Sequence, residues 1–177
     1  MLKFVTPPLA LAAALATLPA PAQVPDLNDL EIAHAAYTAG AIDIRYAHLA
    51  MALSEAPAVR EFAAVMLRDH NAVNEAAGAL IQELDVTPQD NALSQALLTG
   101  AAENIDRFRT LDGAAFDCAY AENELGYHQV VNQTVSESFI PAVTVAPLRE
   151  LLADALVTFR AHEAHAERMV AELGCGS

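Results

Sequence analysis

Three histidines in three separate stretches carry the chemistry this sequence offers. In VREFAAVMLRDHNAVN, residues 59–74, His70 stands four residues after Met66 and three before Val73. Val59, Phe62, Ala63, Met66, Val73 and Ala77 recur at threes and fours, the spacing of one helical face, and His70 falls on that apolar face. His128 occupies the same kind of position in a second stretch, four after Glu124, and His162 in a third, three after Phe159. Each lies near the middle of its stretch. Neutral imidazoles from three helices, with a carboxylate such as Asp43 from a fourth, form a ligand set for Zn, Cu or Fe. Met66 and Met169, a turn or two away, tilt the set toward Cu. Glu124 offers a further ligand or a partner that orients His128. The competing reading is three core histidines, each hydrogen-bonded to a buried partner such as Tyr120, Tyr127 or Asp69.

Other constellations are weaker. His162-Glu163-Ala164-His165 is one residue short of the zinc-protease HExxH spacing, and only His162 falls inward. Di-iron bundles need two Glu-x-x-His pairs, and the one such spacing is Glu31 to His34, near a helix end. His34, His48 and His165 read as peripheral. With no nucleophile triad and no phosphate loop, the residues do not argue for an enzyme.

The elements that must position these side chains are helical. Alanine supplies 39 of the 177 residues and there is no tryptophan, which favours helices packed closely through small side chains. A first helix runs from Asn28 to Leu53, opened by the capping-box pair Asn28 and Glu31. It carries two candidate stripes: Ile32, Ala36, Gly40, Asp43, Ala47 and Ala50, or Leu30, Tyr37, Ala41, Ile44, His48 and Met51. A second helix runs from Pro57 to Leu84, with the proline in its first turn. Gln89 to Leu111 is a helical connector, long enough at about 34 Å to traverse a bundle. A third bundle helix covers Ala114 to Ser138 and turns Phe116, Tyr120, Tyr127, His128, Val131 and Val135 inward, before a proline-interrupted turn up to Pro147. The last covers Ala146 to Leu173, with Leu148, Leu152, Ala155, Phe159, His162, Ala166 and Met169 on one stripe and Gly174 to end it. Short, long and short links describe an all-α, ferritin-like four-helix bundle with a helical crossover between the second and third bundle helices.

Residues 1–22 read as a secretory signal peptide rather than as fold. Lys3 gives a positive start, LALAAALATL is an apolar run too short to span a bilayer, and Ala20-Pro21-Ala22 suits cleavage before Gln23. The folded domain is then 23–177, in the periplasm or beyond, with no membrane span once the signal is gone. The whole chain has a formal net charge of −14, and Lys3 is its one lysine, so the surface repels nucleic acid and anionic lipid. Cys118 and Cys175 flank the ends that antiparallel third and fourth bundle helices bring together, and export permits oxidation. A Cys118–Cys175 disulfide follows, worth about 4 kcal/mol on a loop-entropy estimate.

With these pieces in place the chain resembles the bacterial domain-of-unknown-function family 4142, over about Asp29 to Leu173. Phe62, Ala63, Met66, Asp69 and His70 match one helical pattern of that family; Phe116, Asp117, Tyr120 and His128 match a second; His162 matches the histidine of a third. Asp43 stands where the family tends to carry Glu. The resemblance implies an exported ferritin-like bundle, often labelled a putative outer-membrane protein, and brings little biochemical function. Two readings of role stand. One is an exported bundle binding a transition metal through His70, His128, His162 and Asp43. The other is a non-enzymatic envelope or stress-related module with structural histidines and no metal. An enzyme on the same site is a third, and nothing in the residues names a protein partner.

Overall fold

The structure is a computed structural model that describes residues 26–176, and all regular structure among them is helical. The expected signal segment lies outside the described residues. The elements are α1 (Asp29–Leu53), α2 (Pro57–Glu83), α3 (Ala92–Phe108), α4 (Gly113–Thr134) and α5 (Ala146–Leu173). Helix α4 runs on through a π-helical turn, Val135–Phe139, and a last α turn, Ile140–Ala142. The expected break at Ser138 is therefore four residues early. Pro141 enters in the turn just after the π segment, where a missing N–H is tolerated.

Local chemistry sets the ends. The Asn28 side chain accepts from the N–H groups of Leu30 and Glu31, and the Glu31 carboxylate accepts in return from Asn28 N–H at 2.9 Å. At the other end of α1, the Arg60 guanidinium donates to the carbonyls of Met51 at 2.8 Å and Ser54 at 3.1 Å, supplying donors the helix end lacks. No side chain of α5's own caps its start. Asp29 of α1 does so instead, accepting from Thr144 N–H, Thr144 Oγ1–H and Val145 N–H at 2.6–3.0 Å. Gly174 adopts φ 69°, and the bonds Gly174 N–H to Ala171 O and Cys175 N–H to Val170 O close α5 in a Schellman pair.

These ties fix direction and axial register. The Asp29 contacts place the starts of α1 and α5 together, so those two helices run parallel, and short links make α1–α2 and α4–α5 antiparallel. Helix α1 packs on α2, α2 on α5, α5 on α4 and α4 on α1, a closed ring of four; α3 crosses outside, on α1 and α4. The expected helical bundle with a helical crossover is what the chain forms. Cys118 and Cys175 are joined, with Cα atoms 5.4 Å apart.

Helix α1 settles its ambiguous stripe in favour of Ile32, Gly40, Asp43, Ala47 and Ala50, with Tyr37 and His48 left exposed. It also buries Ile42 and Tyr46, because α3 covers a second face: Tyr46 meets Phe108 edge-on, centroids 5.8 Å apart. The buried apolar residues fall into two clusters. One holds Tyr46, Phe62, Met66, Phe116, Tyr120 and Met169 among others; the second holds Ile32, Val135, Phe139, Leu148, Leu152 and Leu156. In α2, α4 and α5 the histidine sits at the boundary between the two.

Candidate metal centre

Asp43 from α1, His70 from α2, His128 from α4 and His162 from α5 meet in that boundary layer. Their exposures are 0, 3, 1 and 3%. His70 Nε2 lies 3.2 Å and His128 Nε2 3.4 Å from Asp43 Oδ2. One donor atom from each of His70, His128 and His162 lies within 4.8 Å of the other two. Ligands about 2.0–2.1 Å from a tetrahedral ion stand about 3.3 Å apart, so the imidazole–carboxylate spacings are those of a shared ion. Fully buried Glu124 joins Asp43 and His128 in a second group of the same kind. The two groups share His128, with Asp43 in one and His162 in the other.

Outer partners decide what each ring points inward. His128 Nδ1 lies 2.9 Å from the Glu124 carbonyl, which can only accept. The proton is therefore assigned to Nδ1, and Nε2 turns its lone pair toward Asp43. His162 Nε2 lies 2.9 Å from Asp69 Oδ2, so by the same logic Nδ1 turns its lone pair inward. Asp69 is itself held by Arg68 at 2.6 and 2.9 Å. His70 stacks on Phe159, centroids 4.9 Å apart and planes 14° from parallel, which fixes its ring. The buried atoms without a hydrogen-bond partner include both Asp43 oxygens, both His70 nitrogens, His128 Nε2, His162 Nδ1 and both Glu124 carboxylate oxygens.

Electrostatics prepares His128 and His162 as neutral ligands. Burial pulls His162 down to about 4 despite its bond to Asp69, and burial likewise lowers His128. Burial pushes the Asp43 carboxyl up, and the charge that the imidazoles carry when protonated, His70 first, outweighs it and takes Asp43 below the ordinary carboxylate value. Glu124 goes the other way: burial and then the Asp43 charge drive it well above the usual range, so it holds its proton more firmly than Asp43 does.

The sequence-expected residues fall as follows. His70, His128, His162 and Asp43 are brought together, and Glu124 touches His128 through both its carbonyl and, at 3.8 Å, its carboxylate. Met66 and Met169 pack in the first apolar cluster. Of the partners expected for core histidines, Asp69 is one; Tyr127 instead donates to the Ala39 carbonyl, and Tyr120 Oη is without a partner. His34 bonds Ser94, His48 is exposed, and His165 packs edge-on against Phe62. The Phe159 stack and the Arg68–Asp69 support were not expected; the adjacency of Arg68, Asp69 and His70 was their visible trace.

No helix among the described residues is long and apolar enough to cross a membrane. No curated protein and no solved structure matches the chain. A family model matches residues 13–169, nearly the whole chain and all four inward-facing residues, and so the chain belongs to the family described as Domain of unknown function (DUF4142).

Proposed function

We propose that this protein is an exported bundle of ferritin-like connectivity that holds one transition-metal ion, Zn, Cu or Fe, between His70, His128, His162 and Asp43. The observation that carries it is a cluster of buried polar atoms without hydrogen-bond partners. Donor atoms of His70, His128 and His162 lie within 4.8 Å of one another, Asp43 Oδ2 lies 3.2 and 3.4 Å from His70 and His128, and His128 Nε2, His162 Nδ1 and both Asp43 oxygens are unpartnered. Each buried polar atom left so costs about 1–3 kcal/mol, which a cation among them would offset for several at once. The outer bonds from the Glu124 carbonyl and from Asp69 supply the support that ligating histidines require. Nδ1 ligation by His162 and Nε2 ligation by His128 follow from those bonds.

Export is supported by the signal-like start and by the disulfide, a bond kept in oxidising compartments. Four ligands close a tetrahedral ion, which suits holding or buffering a metal rather than turning over a substrate. The test is elemental analysis of untagged protein after secretion, with chelator-competition titration of the stripped protein. About one equivalent of metal, lost when His70, His128 and His162 are together changed to Ala, is the expected result.

A second reading is favoured by the 3.2 Å approach of His70 to Asp43, which is within hydrogen-bonding reach. There the layer is a structural polar network and the bundle an envelope or stress-related module. In that case the triple variant loses stability and no metal accompanies the wild type.

A further inference from the structure

The half of the bundle beyond the histidine layer is incompletely filled. Past His70, α2 has no fully buried residue, although Val73, Ala77 and Leu80 continue its inward stripe. Facing them is a cavity of about 170 Å³, bounded across the bundle by residues such as Leu152 and Phe159 of α5 and Val135 at the end of α4. Its inner end reaches Asp43, His70 and His128. Its walls carry an uneven share of the exposed apolar surface. Of the seven large apolar residues exposed among the described residues, four line this one space: Tyr37, Leu84, Val86 and Val130. Scattered exposed apolar residues are ordinary, but four on the rim of one apolar cavity are an entrance.

We propose that this cavity binds a small uncharged apolar molecule, a chain or ring of about six to eight carbons. Size sets the length: an engineered apolar cavity of about 150 Å³ stays dry and takes up benzene. Lining sets the class, because most bounding side chains are aliphatic or aromatic, the polar ones being Asp29, Asp43, His70, Asn74, His128 and Thr134. Charge excludes the anionic homologue. Asp29 borders the space, Glu83 and Asp85 flank Leu84 in the sequence, and the chain as a whole is at −14. A carboxylate head at the rim would be repelled, whereas an alcohol would not. The inference does not rest on the metal reading, since the space exists whatever lies among the histidines.

The test is calorimetric titration of chelator-treated full-length protein with n-butanol through n-octanol, alongside hexanoate. Affinity should tighten about fourfold per added methylene until the cavity is filled and then level off. Hexanoate should bind at least tenfold more weakly than hexanol. Ala77→Leu, which plugs the space from α2, should lose hexanol binding while keeping helicity and metal uptake, and Ala36→Leu should do the same from α1. Methyl spectra locate the ligand in the wild type: shifts at Val73, Leu80, Val135 and Leu152 are expected, and they decide the matter even if both variants misfold. Non-saturable partitioning, shifts elsewhere, or unchanged binding in a folded Ala77→Leu protein would overturn the proposal.

Discussion

Asp43→Asn separates a metal centre from a structural network, because the two accounts give it opposite signs in metal-free protein. Asp43 is fully buried, neither of its oxygens has a hydrogen-bond partner, and its Oδ2 lies 3.4 Å from the lone pair assigned to His128 Nε2. Asparagine keeps the shape, removes the buried charge and offers two N–H donors toward those acceptors. One unmet buried acceptor is worth about 1–3 kcal/mol, so the chelated variant should be more stable than chelated wild type by about that amount. With metal the order should reverse. Loss of the one anionic ligand should weaken binding by about 100-fold or more, which at a fixed saturating free-metal level lowers the metal's contribution by about 2.7 kcal/mol. The assay is urea unfolding followed by circular dichroism, wild type and variant, with EDTA and with buffered free Zn²⁺. The stability curves should cross between the two conditions. A variant destabilised equally in both would refute the reasoning and make Asp43 an ordinary acceptor for His70 and His128 protons.

The remaining expectations concern the support, the staple and the proton balance. Asp69→Asn removes the anionic partner of His162 and should weaken metal binding by about 10- to 100-fold with helicity unchanged, read by chelator competition. Replacing Cys118 and Cys175 together by Ser opens a loop of sequence separation 57 and should cost about 4 kcal/mol in urea unfolding. In acid two buried groups oppose each other. His162, at about 4 when folded against 6.5 when free, gives stability that is full above pH 6.5 and falls as the pH drops toward 4, with His128 acting in the same sense. Glu124, raised well above 4.5 by folding, gives a contribution full below 4.5 and lost as the pH rises. Chelated Glu124→Gln protein should therefore lose about 2 kcal/mol between pH 7 and pH 5, and wild type should lose less.

The inward histidines were legible because each falls on a clean stripe with threes and fours on both sides. Helices α2 and α5 show this most plainly, having one buried face each. Asp43 was harder, because α1 buries two faces and its periodicity is blurred; only the packing of α3 on Ile42 and Tyr46 explains why. That the four side chains share one level was signalled only by each histidine lying near the middle of its stretch. Axial register depends on ties between distant residues, such as Asp29 on Thr144 and Asn91 on the Glu31 carbonyl, which leave no periodic trace. The π turn before Pro141 was hidden for a related reason, since a proline marks a helix end equally well in one place or four residues on. The cavity was invisible to pattern reading altogether: Val73, Ala77 and Leu80 make a proper stripe, and the stripe does not reveal that nothing fills the space before it.

The most direct test of the central claim is anomalous diffraction from crystals of stripped protein reloaded with Zn²⁺, recorded on both sides of the zinc edge. The account predicts one peak inside the bundle, at about 2.0–2.2 Å from His70, His128 Nε2, His162 Nδ1 and an Asp43 oxygen. Absence of an interior peak, or a peak confined to the peripheral His34 or His48, would contradict it.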